Sequence, residues 1–453
     1  MAGMHALRAD CIGRPFKLKM LHSAYCAAGR RDAPRTCENF FRFTNGQNMN
    51  VKSHVRLSDI RGYSRLAVDA TIGLANLVES MHRSIARVPG VFGATTPERT
   101  TGITGLVYRS IRGVTRLVGG GIDAVLAQLV PLLGEVPSSI EREAVLAALN
   151  GVLGDHIAVS GNPLAIPMRL RRGGQPLELA SQALAAAIPR PGGRILLLVH
   201  GLCMNDLRWR RRGHDHGAAL AADAAFTQLY LHYNSGLHVS INGRAFAGLI
   251  ENLLHAWPVP VQELVIIGHS MGGLVARSAC HYGRLAGHDW LRRLGKMVFL
   301  GTPHHGAPLE RGGNWVDVLL GASPYSAAFA RLGKIRSAGI TDLRYGSLAD
   351  EDWEHRDRFA RSKDKRLAVP LPDAVQCYAI GACIAKTAGR LRGQLLGDGI
   401  VPLRSALGQH ANSRLNLAIP PSRTWVGYGM HHLDLLDRRE VYERIRQWLG
   451  GMD

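Results

Sequence analysis

The apolar run Leu264-Val265-Ile266-Ile267-Gly268 passes directly into His269-Ser270-Met271-Gly272-Gly273 and then into Leu274-Val275-Ala276-Arg277-Ser278-Ala279. A short unbroken apolar run suits a buried parallel strand, and the segment after the glycines suits a helix. The turn between them forces a strained backbone on the residue at its tip, and flanking glycines remove side chains that would clash there. A fold containing this piece must bring a sheet edge, a helix start and the Ser270 hydroxyl to one point.

The surrounding sequence has the matching rhythm. Ile195 to Val199 is a second continuous apolar run, and Ile166 to Arg171 and Pro176 to Leu179 flank Gly173-Gly174 as a hairpin would. Gln228 to His232, Lys296 to Leu300, Ala374 to Ile380 and Thr424 to Gly427 predict further strands, separated by helices over Ile241 to Trp257, Met271 to Tyr282 and Arg438 to Leu449. This alternation predicts an α/β fold: a mostly parallel, doubly wound sheet with helices on both faces and its site at the strand carboxyl ends. We expect this catalytic domain over residues 161–453.

The preceding third reads differently. Residues 1–55 are basic and aperiodic, and are expected to be a flexible leader, with Met49 an alternative start. Residues 56–160 are expected to be helical. Leu74, Leu77, Val78, Met81, Ile85 and Val88 share one helical face, and Ile103, Leu106, Val107, Ile111, Val114, Leu117, Val118, Ile122, Val125, Leu126 and Leu129 share another, with Arg109, Arg112 and Arg116 opposite. Such a stripe could lie on a membrane surface, but the expectation is that it packs on the protein with the arginines solvated. Ser138 to Glu141 matches a capping box and predicts a third helix to about Leu153.

A net charge of +20 draws nucleic acids and anionic membranes alike. The arginines form no run of five or six and no recognised nucleic-acid motif, so nucleic acid is not expected as a partner, while peripheral membrane contact through the basic surface is. The seven cysteines, at 11, 26, 37, 203, 280, 377 and 383, are odd in number and lack two-residue spacing, which suits a reducing, cytoplasmic compartment. Cys26, Cys37 and His22 could ligate zinc, but ordinary thiols are the expected reading. No secretory signal is expected, because Lys17 and Lys19 interrupt the first residues, and Leu117 to Leu133 is broken by Asp123, Gln128 and Pro131 and does not read as a membrane span. No metal and no cofactor are expected.

A serine hydroxyl needs a base to act as a nucleophile and donors for the oxyanion that follows. The Met271 amide, at the start of the new helix, is one expected donor. The Leu202 amide is the other, because His200-Gly201-Leu202 follows the Ile195–Val199 run directly. The candidate bases are His410, His431 and His432. His432 is preferred over His410 because it follows the final predicted strand on a short loop before the last helix. Asp398, between two glycines, is placed to orient an imidazole, with Asp364, Asp373 and the Asp350–Asp357 cluster as competitors.

His200-Gly201-Leu202, Gly268-His-Ser-Met-Gly272, Gly301-Thr-Pro-His-His-Gly306, Gly397-Asp-Gly-Ile-Val-Pro402 and His431-His432-Leu433-Asp434 occur in this order over residues 165–450. In these motifs the chain resembles the α/β-hydrolases, in particular bacterial triacylglycerol lipases and GPI inositol-deacylase-like esterases. The resemblance implies a nucleophile at Ser270, an acid at Asp398 and a base at His432 rather than His431. It also places Asp434 where secreted lipases bind calcium, but no second carboxylate accompanies it here. His304 and His305 read as a loop wall, since adjacent residues point different ways and no third ligand is spaced with them. Residues 307–372 form an insertion expected to cover the pocket as a lid, with Trp315, Val316, Val318, Leu319 and Leu320 suited to an acyl chain; a solvated excursion is the alternative. The function expected is cleavage of carboxylic esters, of lipids or other acyl groups, through a Ser-His-Asp triad and an acyl-enzyme. Acyl transfer by the same triad, or a non-catalytic membrane or partner-binding role on a hydrolase scaffold, are the alternatives. Oligomeric state is not legible.

Overall fold

A computed structural model describes residues 56–85, 102–129, 138–307, 336–357, 364–387 and 397–450. The leader, the zinc candidates Cys26, Cys37 and His22, and Trp315 to Leu320 lie outside the described residues. Eight strands form one sheet: β1 (Arg169–Arg172), β2 (Gln175–Pro176), β3 (Arg194–Val199), β4 (Thr227–His232), β5 (Glu263–His269), β6 (Leu294–Leu300), β7 (Gln376–Cys383) and β8 (Thr424–Tyr428), in the order β2-β1-β4-β3-β5-β6-β7-β8. β1 runs antiparallel to β2 and β4, and every pairing from β4 to β8 is parallel. The helices are α1 (Leu57–Ile85), α2 (Gly102–Leu129), α3 (Ile140–Val159), α4 (Ser181–Ala187), α5 (His216–Ala224), α6 (Val239–Ala256), α7 (Met271–Leu285), α8 (Ala338–Asp342), α9 (Leu403–Ala406) and α10 (Arg439–Gly450).

The continuous apolar strands are explained by burial on both faces. Leu197, Val199, Leu264 and Ile266 point into one core with Phe246 and Ile250 of α6 and Leu274 and Val275 of α7. Their neighbours Leu196, Leu198, Val265 and Ile267 point into the other, with Trp209, Leu220 of α5, and Ile445 and Trp448 of α10. The period of two thus sorts one sequence run into two cores. Register then fixes the site: Val199 pairs with Gly268, His269 with Leu300, and Leu300 with Ile380. The loops that follow β3, β5 and β6 therefore open at one edge.

The N-terminal helices depart from expectation in two ways. The third starts one residue later than the predicted box: Ser139 is the N-cap, its hydroxyl accepting the Arg142 amide, and the helix runs on to Val159. Ser138 instead accepts a hydrogen bond from the Arg142 guanidinium. This helix is built into the body, with Asn150 bonded to Leu146 O, Leu164 O and the Ile166 amide, and Gly154 close enough to Asn234 that a Cβ would lie 1.9 Å from its Oδ1.

The larger correction concerns α2. Its apolar stripe faces water: Leu106, Val107, Ile111, Val114, Leu117, Val118 and Ile122 are all exposed, Leu117 by 78%. The face packed on α1 instead carries Tyr108, Arg112 and Gly119, and Arg112 is buried in an ion pair with Glu79. Asp123 takes Arg61 and Arg65 together, which holds its carboxyl well below the usual carboxylate range. Charge pairing fixes how α2 meets α1, and this competes with the apolar period that predicted the opposite face.

Several histidines of the body are held in neutral form, His200 and His216 fully buried and His305 half-buried. Burial pushes His200 down to about 3 and His216 and His305 down to about 4. Because the unfolded chain takes up these protons near pH 6.5 and the folded one does not, stability is lost as the pH falls from about 6.5 toward 4. Urea unfolding at pH 7 and pH 5 should show a loss of up to about 2 kcal/mol for each such histidine, and a His216→Phe variant should show a smaller loss than the wild type.

Candidate active site

Ser270 joins β5 to α7 with φ 54° and ψ −127°, a conformation that a residue with a Cβ holds only under strain. The glycines around it are required by contact. A Cβ on Gly268 would lie 2.6 Å from the Gly273 backbone, and one on Gly272 would lie 2.2 Å from Val199 O. The helix start is therefore pressed against the ends of its own strand and of β3. The Ser270 amide donates to Leu300 O at 2.8 Å, which ties the turn to β6 as well.

Asp398 lies beyond β7. That strand continues to Cys383, past the predicted end at Ile380, and the Ile384 amide donates to Gly397 O at 2.9 Å. This stitch returns the chain to the strand end and accounts for the long spacing between Ile380 and Asp398. The Asp398 carboxylate is buried and accepts the Ile400 and Val401 amides on Oδ1, at 3.0 and 2.8 Å. Its Oδ2 lies 2.6 Å from His432 Nδ1. A carboxylate there places the ring proton on Nδ1 and leaves Nε2 as the acceptor.

His432 Nε2 is buried and makes no hydrogen bond, so Ser270 and His432 are not bonded to each other in this conformation. Their surroundings nevertheless interlock. The His432 ring lies 4.8 Å from that of His269, the residue before Ser270, and a Cβ on Gly301, which follows the Leu300 that Ser270 bonds, would lie 3.1 Å from its Cε1 and Nδ1. Sequence reasoning gave His269 no role. It packs against His432 and sits 3.4 Å from its carbonyl through Nε2, and burial keeps its imidazole well below its ordinary value and so neutral. Its place beside the serine was the available signal.

The residues that carry the expected oxyanion amides lie beside Ser270 in the chain or next to its close neighbour Gly201. Gly201 approaches Ser270 so closely that a Cβ would lie 2.9 Å from the serine Cβ, and Leu202 follows it, buried. Met271 is the first residue of α7, where amides have no intrahelical acceptor. His200 is held by stacking on Tyr233, with ring centroids 4.4 Å apart, and the Tyr233 hydroxyl donates to His200 O.

Other candidates fall elsewhere. His431 is exposed, and His410 lies against His305, with centroids 4.9 Å apart. Asp350 pairs with Arg244, and Asp352 accepts the Leu348, Ala349 and Leu367 amides. Asp434 accepts the His431 amide and lies 3.4 Å from Arg212, while Asp437 pairs with Arg211 at 3.1 Å. His304 and His305 do point apart: His304 meets Arg277, which also donates to Val369 O, and His305 meets Arg366. These residues line a cavity of about 100 Å³ beside α7. The described parts of the 307–372 insertion are anchored, Ser337 to Gly151 O, Asp342 to the Val239 amide and Trp353 to Ser240.

Residues 190–371 match the PGAP1 family, described as a PGAP1-like alpha/beta domain. With the strand order and the turn at Ser270, this decides the architecture. The chain has the α/β-hydrolase fold. No curated protein matches it. Among solved structures it is similar to the Bacillus licheniformis lipase BlEst2 in mature form, at 16% identity and TM-score 0.38 over 62% of this chain and 98% of that one. It is also similar to Aspergillus fumigatus lipase B, at 13% and 0.36 over 62% and 59%. A thermophilic esterase from Thermogutta terrifontis gives 16% and 0.33 over 63% and 93%. The hydrolase fold leaves so little space at its elbow that Gly272→Ala should lower the thermal midpoint strongly or prevent folding, at a cost of roughly 3 kcal/mol or more, whereas Gly248→Ala on the open side of α6 should be near neutral.

Proposed function

We propose that the chain is a serine hydrolase that cleaves carboxylic esters, with lipids or other acyl esters as the substrate class that the sequence resemblance implies. The observation that carries this reading is the short His432 Nδ1 to Asp398 Oδ2 contact, in a buried pair whose Nε2 has no other partner. An imidazole oriented in this way keeps one basic lone pair available, which is what a serine nucleophile requires.

In the proposed reaction Ser270 Oγ attacks the ester carbonyl as its proton passes to His432 Nε2. The imidazolium that forms is stabilised by Asp398. The Leu202 and Met271 amides hold the oxyanion, and the tetrahedral intermediate collapses with His432 protonating the departing alcohol. Water, deprotonated by the same Nε2, then attacks the acyl-enzyme and releases the acid and Ser270. Closing the serine to imidazole hydrogen bond as substrate binds is in keeping with catalytic contacts that tighten only in the complex.

A fluorophosphonate probe should label the wild-type protein and leave Ser270→Ala unlabelled. Labelling that persists in the alanine variant removes the assignment. With p-nitrophenyl esters of graded length, Asp398→Asn should lower kcat by roughly a thousandfold or more with little change in fold. A rate that peaks at long acyl chains supports a lipid substrate, and a product analysis that finds the acyl group on an added alcohol rather than in free acid would instead make the protein an acyltransferase.

A further inference from the structure

The cavity beside α7 is lined by Arg277, His304, Arg366 and Arg414, and none of its lining residues is an acid. Two of these side chains are almost wholly removed from water, Arg277 at 4% and His304 at 1% exposure. Arg277 gives one terminal nitrogen to Val369 O and the other to His304 Nδ1, and its Nε has no acceptor. Among the described residues no carboxylate pairs with it. Burial, with repulsion from Arg366, lowers it to about 10, so it is still a cation at neutral pH. The tautomer of His304 follows from this contact. A guanidinium only donates, so Nδ1 is the acceptor, and the ring, which burial keeps neutral, carries its proton on Nε2. That Nε2–H has no acceptor either.

Arg366 differs, since its terminal nitrogens reach His304 O, Tyr345 O and His305 Nδ1, and Asp364 lies 3.4 Å from its Nε. The unbalanced cations of the cavity are therefore Arg277 and the exposed Arg414. Glu351 and Asp364 line the adjoining groove, where Arg356, Lys365, Arg366 and Arg414 outnumber them. A buried charge without a counter-charge is costly, and a buried N–H without an acceptor adds to that cost. Water could accept from both donors but would leave the Arg277 charge unbalanced. The cavity, at about 100 Å³, exceeds the roughly 30 Å³ of one water. An oxyanion answers both needs. A carboxylate balances one guanidinium, whereas a phosphoryl group brings a charge of roughly −1.5 to −2 at neutral pH and three acceptor oxygens.

We propose that this cavity binds a small phosphoryl oxyanion, inorganic phosphate or the terminal phosphate of a monoester, on the Arg277 and Arg414 guanidiniums and the His304 imidazole. The bound anion ties α7 and the loop after β6 to the 412–417 segment, away from the chemistry at Ser270. Isothermal titration of the full-length protein at fixed ionic strength should show one phosphate per chain, with Ser270→Ala binding as the wild type does. Arg414→Gln, at an exposed position, should keep the thermal midpoint measured in chloride and weaken phosphate at least tenfold, and Arg277→Gln should abolish the binding. If Arg277→Gln fails to fold, Arg414→Gln carries the test. Glycerol 3-phosphate that binds as tightly as inorganic phosphate assigns the site to the end of a monoester, and binding of inorganic phosphate alone assigns it to the free ion. No binding of either, an affinity unchanged by Arg414→Gln, binding retained in a folded Arg277→Gln, or acetate bound as tightly as phosphate overturns the proposal.

Discussion

Where β3, β5 and β6 end, backbone lies against backbone at distances that admit no Cβ. Gly272 against Val199 O and Gly268 against Gly273 define this junction, with Gly201 set against the Ser270 Cβ, and the pairing of Val199 with Gly268 and of His269 with Leu300 holds it in register. The position of the serine, of both candidate oxyanion amides and of the Gly301 turn that meets His432 all follow from it. The side chains of the site are thus arranged by the sheet, and the loops inherit their places from strand ends that cannot slide.

Most of this was legible because it is local. An apolar run followed by two glycines and a serine specifies a strand, a turn and a helix within a dozen residues, and burial on both faces leaves β3 and β5 only one role. His432 and Asp398 were harder, since 34 residues separate them and the parallel pairing of β7 with β8 is what brings the segments after these strands together, with the two side chains 2.6 Å apart. The stitch from Ile384 to Gly397, which makes the distance between β7 and Asp398 reasonable, is a single backbone hydrogen bond that no pattern announces. His269 escaped notice for a related reason: its packing against His432 depends on a residue from the far end of the chain.

The α2 helix shows where periodicity misleads. Its apolar positions repeat as a core-facing stripe would, yet the buried side is chosen by Arg112 meeting Glu79 and by Asp123 meeting two arginines of α1. Apolar period reports that a face is amphipathic and leaves open which medium receives it. Paired charges between neighbouring helices settle that question here, and they do so through partners more than 30 residues apart in sequence.

The backbone at Ser270 has one more implication. A left-handed φ of 54° with ψ near −127° is a region that glycine enters freely and serine does not. The native residue at this position is therefore the less comfortable choice for the fold, and glycine there would relax the turn while removing the hydroxyl. Under the proposed chemistry, stability and reactivity pull against each other at a single torsion, so that selection for robustness alone would drift toward an inert scaffold.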